Sequence, residues 1–195
     1  GDSRYSESNA LGEAAVLAAY PGAVILRPSV IFGNEDEFFN RFAAMSRMTP
    51  ILPVFGAGTK FQPVHVEDVA AAAVKGVLGQ AAPGIYELGG PDTLSFAALM
   101  QAMLTAIHRR RLVLPLPRIV GRVMAFGFDA VQACTLGLIV NKVLTGDQLK
   151  NLYRDSVVAP GARGFADLGI TPSALAAVLP DYLWPYRPAG QYDAI

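Results

Sequence analysis

Ala23-Val24-Ile25-Leu26 is an unbroken apolar run, set between a Pro21-Gly22 break and an Arg27-Pro28 pair. Four residues are too few for a helix, and no polar side chain alternates among them to face water. Such a run predicts a strand buried on both faces of a parallel sheet. A parallel sheet in turn needs helices to cover its faces and to carry the chain back between strands.

The surrounding sequence supplies those helices. Residues 5–19 read as a helix with Leu11, Ala15, Val16, Ala18 and Ala19 on an apolar face. Gly33-Asn34 makes a turn, and residues 35–48 read as a second helix carrying Phe38, Phe39, Phe42 and Met45. The Pro- and Gly-rich stretch 49–58 reads as irregular, and 61–66 as extended. Glu67-Asp68 is expected to cap an alanine-rich helix reaching Leu78. Gly84-Ile85-Tyr86-Glu87-Leu88 predicts a strand closed by Gly89-Gly90-Pro91, and Ser95 predicts an N-cap for a helix over 96–108. Residues 112–117 read as extended, 118–143 as a long apolar helical stretch, and Thr145-Gly146-Asp147-Gln148 as a helix restart. The last helix is expected over 172–178, followed by an extended tail anchored by Tyr182, Trp184 and Tyr186. Alternating helices and strands of this kind give an α/β fold.

Composition narrows the function classes. The chain of 195 residues is 52% hydrophobic and 16% charged, which excludes a disordered chain. Sixteen basic and sixteen acidic side chains cancel, so nucleic acid is not expected as a partner. One cysteine, Cys134, excludes an internal disulfide and a cysteine zinc cluster; with two histidines, His65 and His108, no metal site is expected. These features suit a reducing, cytosol-like compartment. Gly1-Asp2-Ser3-Arg4-Tyr5 is polar with no apolar run directly after it, so no secretory signal is expected here. Residues 123–140 approach the length of a membrane span, but Asp129 in their middle argues for a buried or membrane-surface helix.

Four elements, in order, carry a resemblance. They are Tyr5-Ser6-Glu7-Ser8-Asn9, Ile25-Leu26-Arg27-Pro28-Ser29-Val30-Ile31-Phe32-Gly33, Phe61-Gln62-Pro63-Val64-His65-Val66-Glu67-Asp68-Val69-Ala70, and Tyr86-Glu87-Leu88-Gly89-Gly90-Pro91. Together they resemble the extended short-chain dehydrogenase/reductase family, also called the NAD-dependent epimerases and dehydratases. Phe38 to Met45, Leu114-Pro115-Leu116-Pro117 and Asp167-Leu168-Gly169-Ile170 are similar to the branch that holds the nucleotide-binding accessory subunit of respiratory complex I and its bacterial relatives. The resemblance implies the second half of a Rossmann-type, doubly wound parallel sheet over residues 1–90, with substrate-region segments interleaved. It implies a mainly helical substrate or docking region over 91–195.

The same resemblance assigns roles. Tyr5 would bond the nicotinamide ribose and donate a proton in active relatives. Asn9 stands where the family has a lysine that holds the ribose and lowers the tyrosine pKa, so that electrostatic help is lost. Pro28, Ser29 and Val30 would lie against the nicotinamide carboxamide, and Gln62 would face the nucleotide or substrate cleft. His65 reads as a structural residue. The family's phosphate-binding turn, Gly-x-x-Gly-x-x-Gly before a helix, has no counterpart here. Gly56-Ala57-Gly58-Thr59-Lys60 precedes an extended segment and reads as a plain turn. The glycine-rich half is therefore expected outside this sequence, and the chain alone is expected to bind NADP or NAD poorly. NADPH is favoured by the resemblance.

Arg109, Arg110 and Arg111, with Arg118 and Arg122 beyond, flank the apolar Ile119, Val120, Val123, Met124, Phe126 and Phe128. The 109–122 region suits docking on a membrane surface or on respiratory-complex subunits, at the inner face of an inner membrane. An open sheet edge would also allow pairing with a second copy. Three functions follow: a weakly catalytic or non-catalytic NAD(P)H-binding accessory subunit, an active reductase, epimerase or dehydratase acting on a small or nucleotide-linked substrate, or a purely structural interaction module.

Overall fold

The computed structural model describes residues 4–117, 119–120 and 153–192. Arg118, Arg122, Cys134, the span weighed over 123–140 and the restart at Thr145 lie outside the described residues. Among the described residues, no helix is long and apolar enough to cross a membrane.

The fold is α/β with parallel strand pairs. Helix α1 (Arg4–Ala19) leads into β1 (Val24–Pro28), which pairs in parallel with β6 (Gly84–Leu88), Val24 opposite Gly84 and Pro28 opposite Leu88. β2 (Ile31–Phe32) and β5 (Val64–His65) form a second parallel pair. β3 (Ile51–Phe55) and β8 (Leu112–Leu116) form a third. β4 (Lys60–Phe61) runs antiparallel to β7 (Leu94–Ser95). Helices α2 (Phe39–Met48), α3 (Val66–Val77), α4 (Phe96–Ala106) and α5 (Leu175–Leu183) lie between and after these strands.

Two cores hold these elements. The larger buries Phe32, Phe39, Leu52, Val54, Phe96, Leu99 and Met100, with Leu175 and Leu179 of α5. Its centre is a set of phenylalanines: Phe38 meets Phe39 edge-on with centroids 5.0 Å apart, and Phe42 meets Phe96 at 5.5 Å. Edge-to-face rings at such distances gain about 0.5–1.5 kcal/mol per pair beyond area burial. The helical face read from Phe38, Phe39, Phe42 and Met45 is the face that packs. The smaller core joins Val64, Ala72, Tyr86 and Leu88 to Phe165 and Leu168.

Several expectations are corrected. Residues 51–55, read as part of an irregular stretch, form β3. Among the described residues β3 pairs only with β8, and an edge strand tolerates a proline such as Pro53 where no ladder donor is needed. β1 is only half-buried where two-face burial was expected: α3 packs on it, while α1 leaves Leu11 72% and Val16 49% exposed. Asp68 does not cap α3. Its carboxylate accepts from the Ser173 amide at 2.7 Å and from the Ser173 hydroxyl at 3.2 Å, tying α3 to the approach to α5. Ser95 does cap α4, accepting from the Ala98 amide at 3.2 Å. That helix ends at Ala106 instead of His108, whose φ is 53°.

The last helix is Leu175–Leu183, running through Pro180. Leu175, Leu179, Tyr182 and Leu183 follow helical spacing and are buried, so packing on α4 outweighs the one missing amide donor. Tyr182 and Trp184 therefore belong to helical turns and not to an extended tail.

Asp36 locks this end of the larger core. Its carboxylate accepts from the Tyr182 hydroxyl at 2.5 Å and from the amides of Gly33 and Asn40 at 3.2 and 3.0 Å. Burial, then the bond to Asp36, holds the Tyr182 phenol far above its ordinary pKa. Tyr182→Phe keeps the ring and removes the bond to a carboxylate. It is expected to cost about 1.5–3 kcal/mol, read as a lower urea midpoint at unchanged slope.

Candidate functional site

In open parallel sheets, ligands enter the crevice beyond the carboxyl ends of the strands. Here that end is formed by Pro28 of β1 and Leu88 of β6, and it continues into Ser29 and Gly89. The Ser29 amide donates to the Leu88 carbonyl at 2.9 Å, extending the pairing by one residue. Val30 accepts from the Val64 amide at 2.9 Å, which joins this end to β5.

Helix α1 reaches the same end. Its last turn folds back into β1 through the Ala23 amide on the Tyr20 carbonyl, and Glu13 is ion-paired with Arg27. The helix therefore runs opposite to β1. One turn before Glu13, Asn9 lies about 6 Å further towards the strand's carboxyl end, and its side chain is exposed. Tyr5 lies one more turn along the same helix; its side chain is outside the described set. The hydrogen bond from Arg27 holds the Glu13 carboxyl below its ordinary pKa, and Glu13 in turn raises that of Arg27. Arg27 also lies 3.6 Å from Glu87.

Residues 155–164 cross the strand ends as a strap. The Ser156 amide donates to the Lys60 carbonyl and the Gln62 amide to the Ser156 carbonyl, at 2.8 and 2.9 Å. The Lys60 amide donates to Asp155 Oδ1 at 2.8 Å, and the Ala159 amide to Glu87 Oε2 at 2.8 Å. The Ser29 hydroxyl donates to the Ser156 carbonyl at 2.6 Å and lies 3.0 Å from the Ser156 hydroxyl. Gln62 is engaged at both ends of its amide: Nε2 donates to the Gly90 carbonyl at 2.8 Å, and Oε1 accepts from the Val158 amide at 3.0 Å. Gly90 must be glycine on steric grounds, because a Cβ there would lie 2.0 Å from the Pro63 carbonyl oxygen.

The structure thus brings Pro28, Ser29, Val30 and Gln62 to one end of the sheet, with Asn9 exposed on α1 towards it. Beside them are a pocket of about 200 Å³ lined by Arg27, Ser29, Glu87 and Ser156, and a shallow cleft of about 600 Å³ that includes Gln62, Gly89 and Phe165. His65 packs its ring on Phe32, centroids 5.4 Å apart. Sequence reasoning missed Glu87, Asp155 and Ser156. Only Glu87 left a signal, as a lone charge inside an otherwise apolar strand. Among the described residues no group of His, Cys, Asp and Glu could hold a metal ion.

No family model matches the chain. It is 35% identical over 192 residues to NADH dehydrogenase [ubiquinone] 1 alpha subcomplex subunit 9 of Arabidopsis thaliana, covering 96% of this chain and 48% of that one. It is 29% identical over 192 residues to the 40 kDa subunit of NADH-ubiquinone oxidoreductase of Neurospora crassa, covering 95% and 47%. The chain is a relative of these respiratory subunits. It spans about half the length of the curated relatives it matches.

Among solved structures, dTDP-glucose 4,6-dehydratase of Bacillus anthracis in complex with NAD superposes with a TM-score of 0.62 at 16% identity, over 93% of this chain and 51% of that one. A human epimerase family protein with NADPH superposes at 0.58 and 18%, over 82% and 48%. The fold is that of the extended short-chain dehydrogenases, and the neighbours include both NAD and NADPH complexes.

Two measurements check the site. Gln62→Leu leaves the Gly90 carbonyl and the Val158 amide without their partner, so amide exchange at Val158 is expected to quicken at least tenfold. Glu13 is expected to titrate below an ordinary glutamate in the wild type and to return to the ordinary range in Arg27→Gln. Because the folded value is depressed, the pair's contribution is present above the unfolded glutamate pKa and is lost as pH falls through the folded one. The contribution is small at this exposure, and carboxyl NMR resolves it.

Proposed function

We propose that the chain is part of an NAD(P)H-binding accessory subunit of a respiratory NADH:ubiquinone oxidoreductase, with weak or no catalysis of its own. The observation that carries the reading is the relationship at 35% identity along 96% of the chain. The chemistry of the strand ends supports the non-catalytic part. Asn9 carries no charge to lower the pKa of Tyr5. Ser29 and Gln62 spend their polar atoms on Ser156, Gly90 and Val158.

In this reading the strand ends take the nicotinamide end of a dinucleotide. Tyr5 and Asn9 lie on the ribose side, Pro28, Ser29 and Val30 offer backbone groups to the carboxamide, and Gln62 braces the floor. A bound cofactor would supply hydride chemistry. The pocket sets Arg27 against Glu87 and Asp155 and so offers a pyrophosphate no excess of positive charge; the phosphates need a glycine-rich turn that the described residues do not offer. NADPH is the favoured form. Residues 1–90 make up most of the Rossmann half and 91–195 most of the docking half. Partner subunits or the membrane are the contacts expected of the 109–122 region, and the protein is then peripheral on the inner face of an inner membrane.

The test pairs assembly with turnover. A tagged chain recovered from solubilised membranes is expected to bring respiratory subunits with it, while the purified protein shows no reductase turnover with NADPH or NADH. Turnover in the usual range of about 1–10³ s⁻¹ would instead establish the alternative, an active reductase, epimerase or dehydratase. Asn9→Lys is expected to leave turnover at background. A gain of activity would mean that the pocket lacks nothing but the lysine.

A further inference from the structure

We propose that the outer face of the β3–β8 pair, together with Arg109, Arg110 and Arg111 at its edge, docks on an anionic lipid surface. The proposal rests on the docking reading above and names its occupant.

Ile51-Leu52-Pro53-Val54-Phe55 and Leu112-Val113-Leu114-Pro115-Leu116 contain no polar side chain. Leu52 and Val54 are wholly buried, and Val113 packs against the larger core, so one face of the pair is an ordinary interior. The opposite face should then carry polar residues if it met only water. It carries Ile51, Pro53, Leu112 and Leu114 instead. The register sets Ile51 beside Leu112 and Pro53 beside Leu114, and all four are exposed, Leu112 at 60%. Ile119, just beyond β8, is 72% exposed. A contiguous apolar strip of this kind marks a contact surface.

Charge decides between occupants. Leu112 also lines a cleft of about 760 Å³ with Gln101, Thr105, His108, Arg109, Arg110 and Arg111, and among the described residues no carboxylate lines it. Two of the arginines are held in place by backbone: Arg109 Nε donates to the Tyr186 carbonyl at 2.7 Å, and Arg111 Nε to the Ser46 carbonyl at 2.8 Å. Arg110 is exposed. Three successive cations at the rim of an aliphatic strip match a bilayer that offers anionic headgroups above acyl chains. By the same alternation Phe55 lies on this face, half-buried opposite Leu116, and among the described residues no carboxylate sits in the cleft, so the exposed part of the strip is aliphatic and its rim cationic. The lipid surface is therefore the occupant that the residues favour.

Vesicle flotation of the full chain tests this. Vesicles of phosphatidylcholine with about one-third phosphatidylglycerol are expected to capture the protein, less so as salt rises, and pure phosphatidylcholine much less. Arg110→Glu reverses one exposed charge. At about fivefold per unit of charge, it is expected to weaken binding about 30-fold. Leu112→Asn with Leu114→Asn is expected to weaken it as well, and the charge reversal keeps the test open should that pair melt. No capture by anionic vesicles, or capture that neither variant weakens, overturns the proposal. Recovery of respiratory subunits is followed in parallel. If the variants lose those subunits while the wild type ignores vesicles, the occupant is protein: docking stands and the lipid proposal falls. If vesicles capture the wild type but no respiratory subunit is recovered with it, the lipid surface stands and the accessory-subunit reading falls.

Discussion

Parallel pairing is the constraint from which the rest of this architecture follows. Two parallel strands cannot be joined by a tight turn, so the chain between them must cross the molecule before it returns. Val24 pairs with Gly84 and Ile51 with Leu112, and each long crossing carries helices and short strands with it. That is why the cores interleave along the sequence: α5, near the end of the chain, packs on α2's partner α4, while Phe165 and Leu168 close the core beneath β6. It is also why β1 and β6 end on the same side, which creates the crevice into which Ser29, Gln62 and Gly89 fall.

What fills that crevice limits its chemistry. Buried polar groups need partners, and here the partners come from the strap. Ser29, Gln62 and Glu87 each meet it, through a hydroxyl, an amide and a carboxylate. A ligand that needed those atoms would have to displace bonds already made, whereas one reading backbone carbonyls and amides would not. In the proposed reading, Asn9 likewise brings no charge of its own to sharpen Tyr5 into an acid. Both features point towards holding a molecule and away from transforming it.

Local signals made much of this legible. The runs at Val24 and Ile85, the Ser95 cap and the phenylalanines of α2 are statements about neighbouring residues, and periodicity reads those well. The gathering of Pro28, Ser29, Val30 and Gln62 followed from a family resemblance and not from spacing. The misreadings share a cause. Pro53 and Pro180 look like breaks because proline removes one donor, yet an edge strand and a helix with a well-packed face both tolerate the loss. Asp68 looks like a cap until Ser173, far along the chain, offers two donors. Ser156 was invisible for the same reason: its bonds to Lys60, Gln62 and Ser29 are long-range, and nothing in its own neighbourhood announces them.

The zero net charge of the chain conceals an uneven distribution. At the strand ends, Arg27 stands between Glu13 and Glu87, so its field is cancelled within a few ångströms. On α3 and just ahead of α2, Asp68 and Asp36 are spent on hydroxyl and amide donors inside the fold. At residues 109–111 no described carboxylate lines the cleft that the arginines share. Opposite charges that cancel over the whole molecule are screened from one another across distances beyond about 8–10 Å, so a local excess behaves as a charged surface whatever the total. The molecule therefore has two ends of different character. One is electrically quiet and closed by its own backbone; the other is cationic and apolar, as a surface that meets something outside the chain must be.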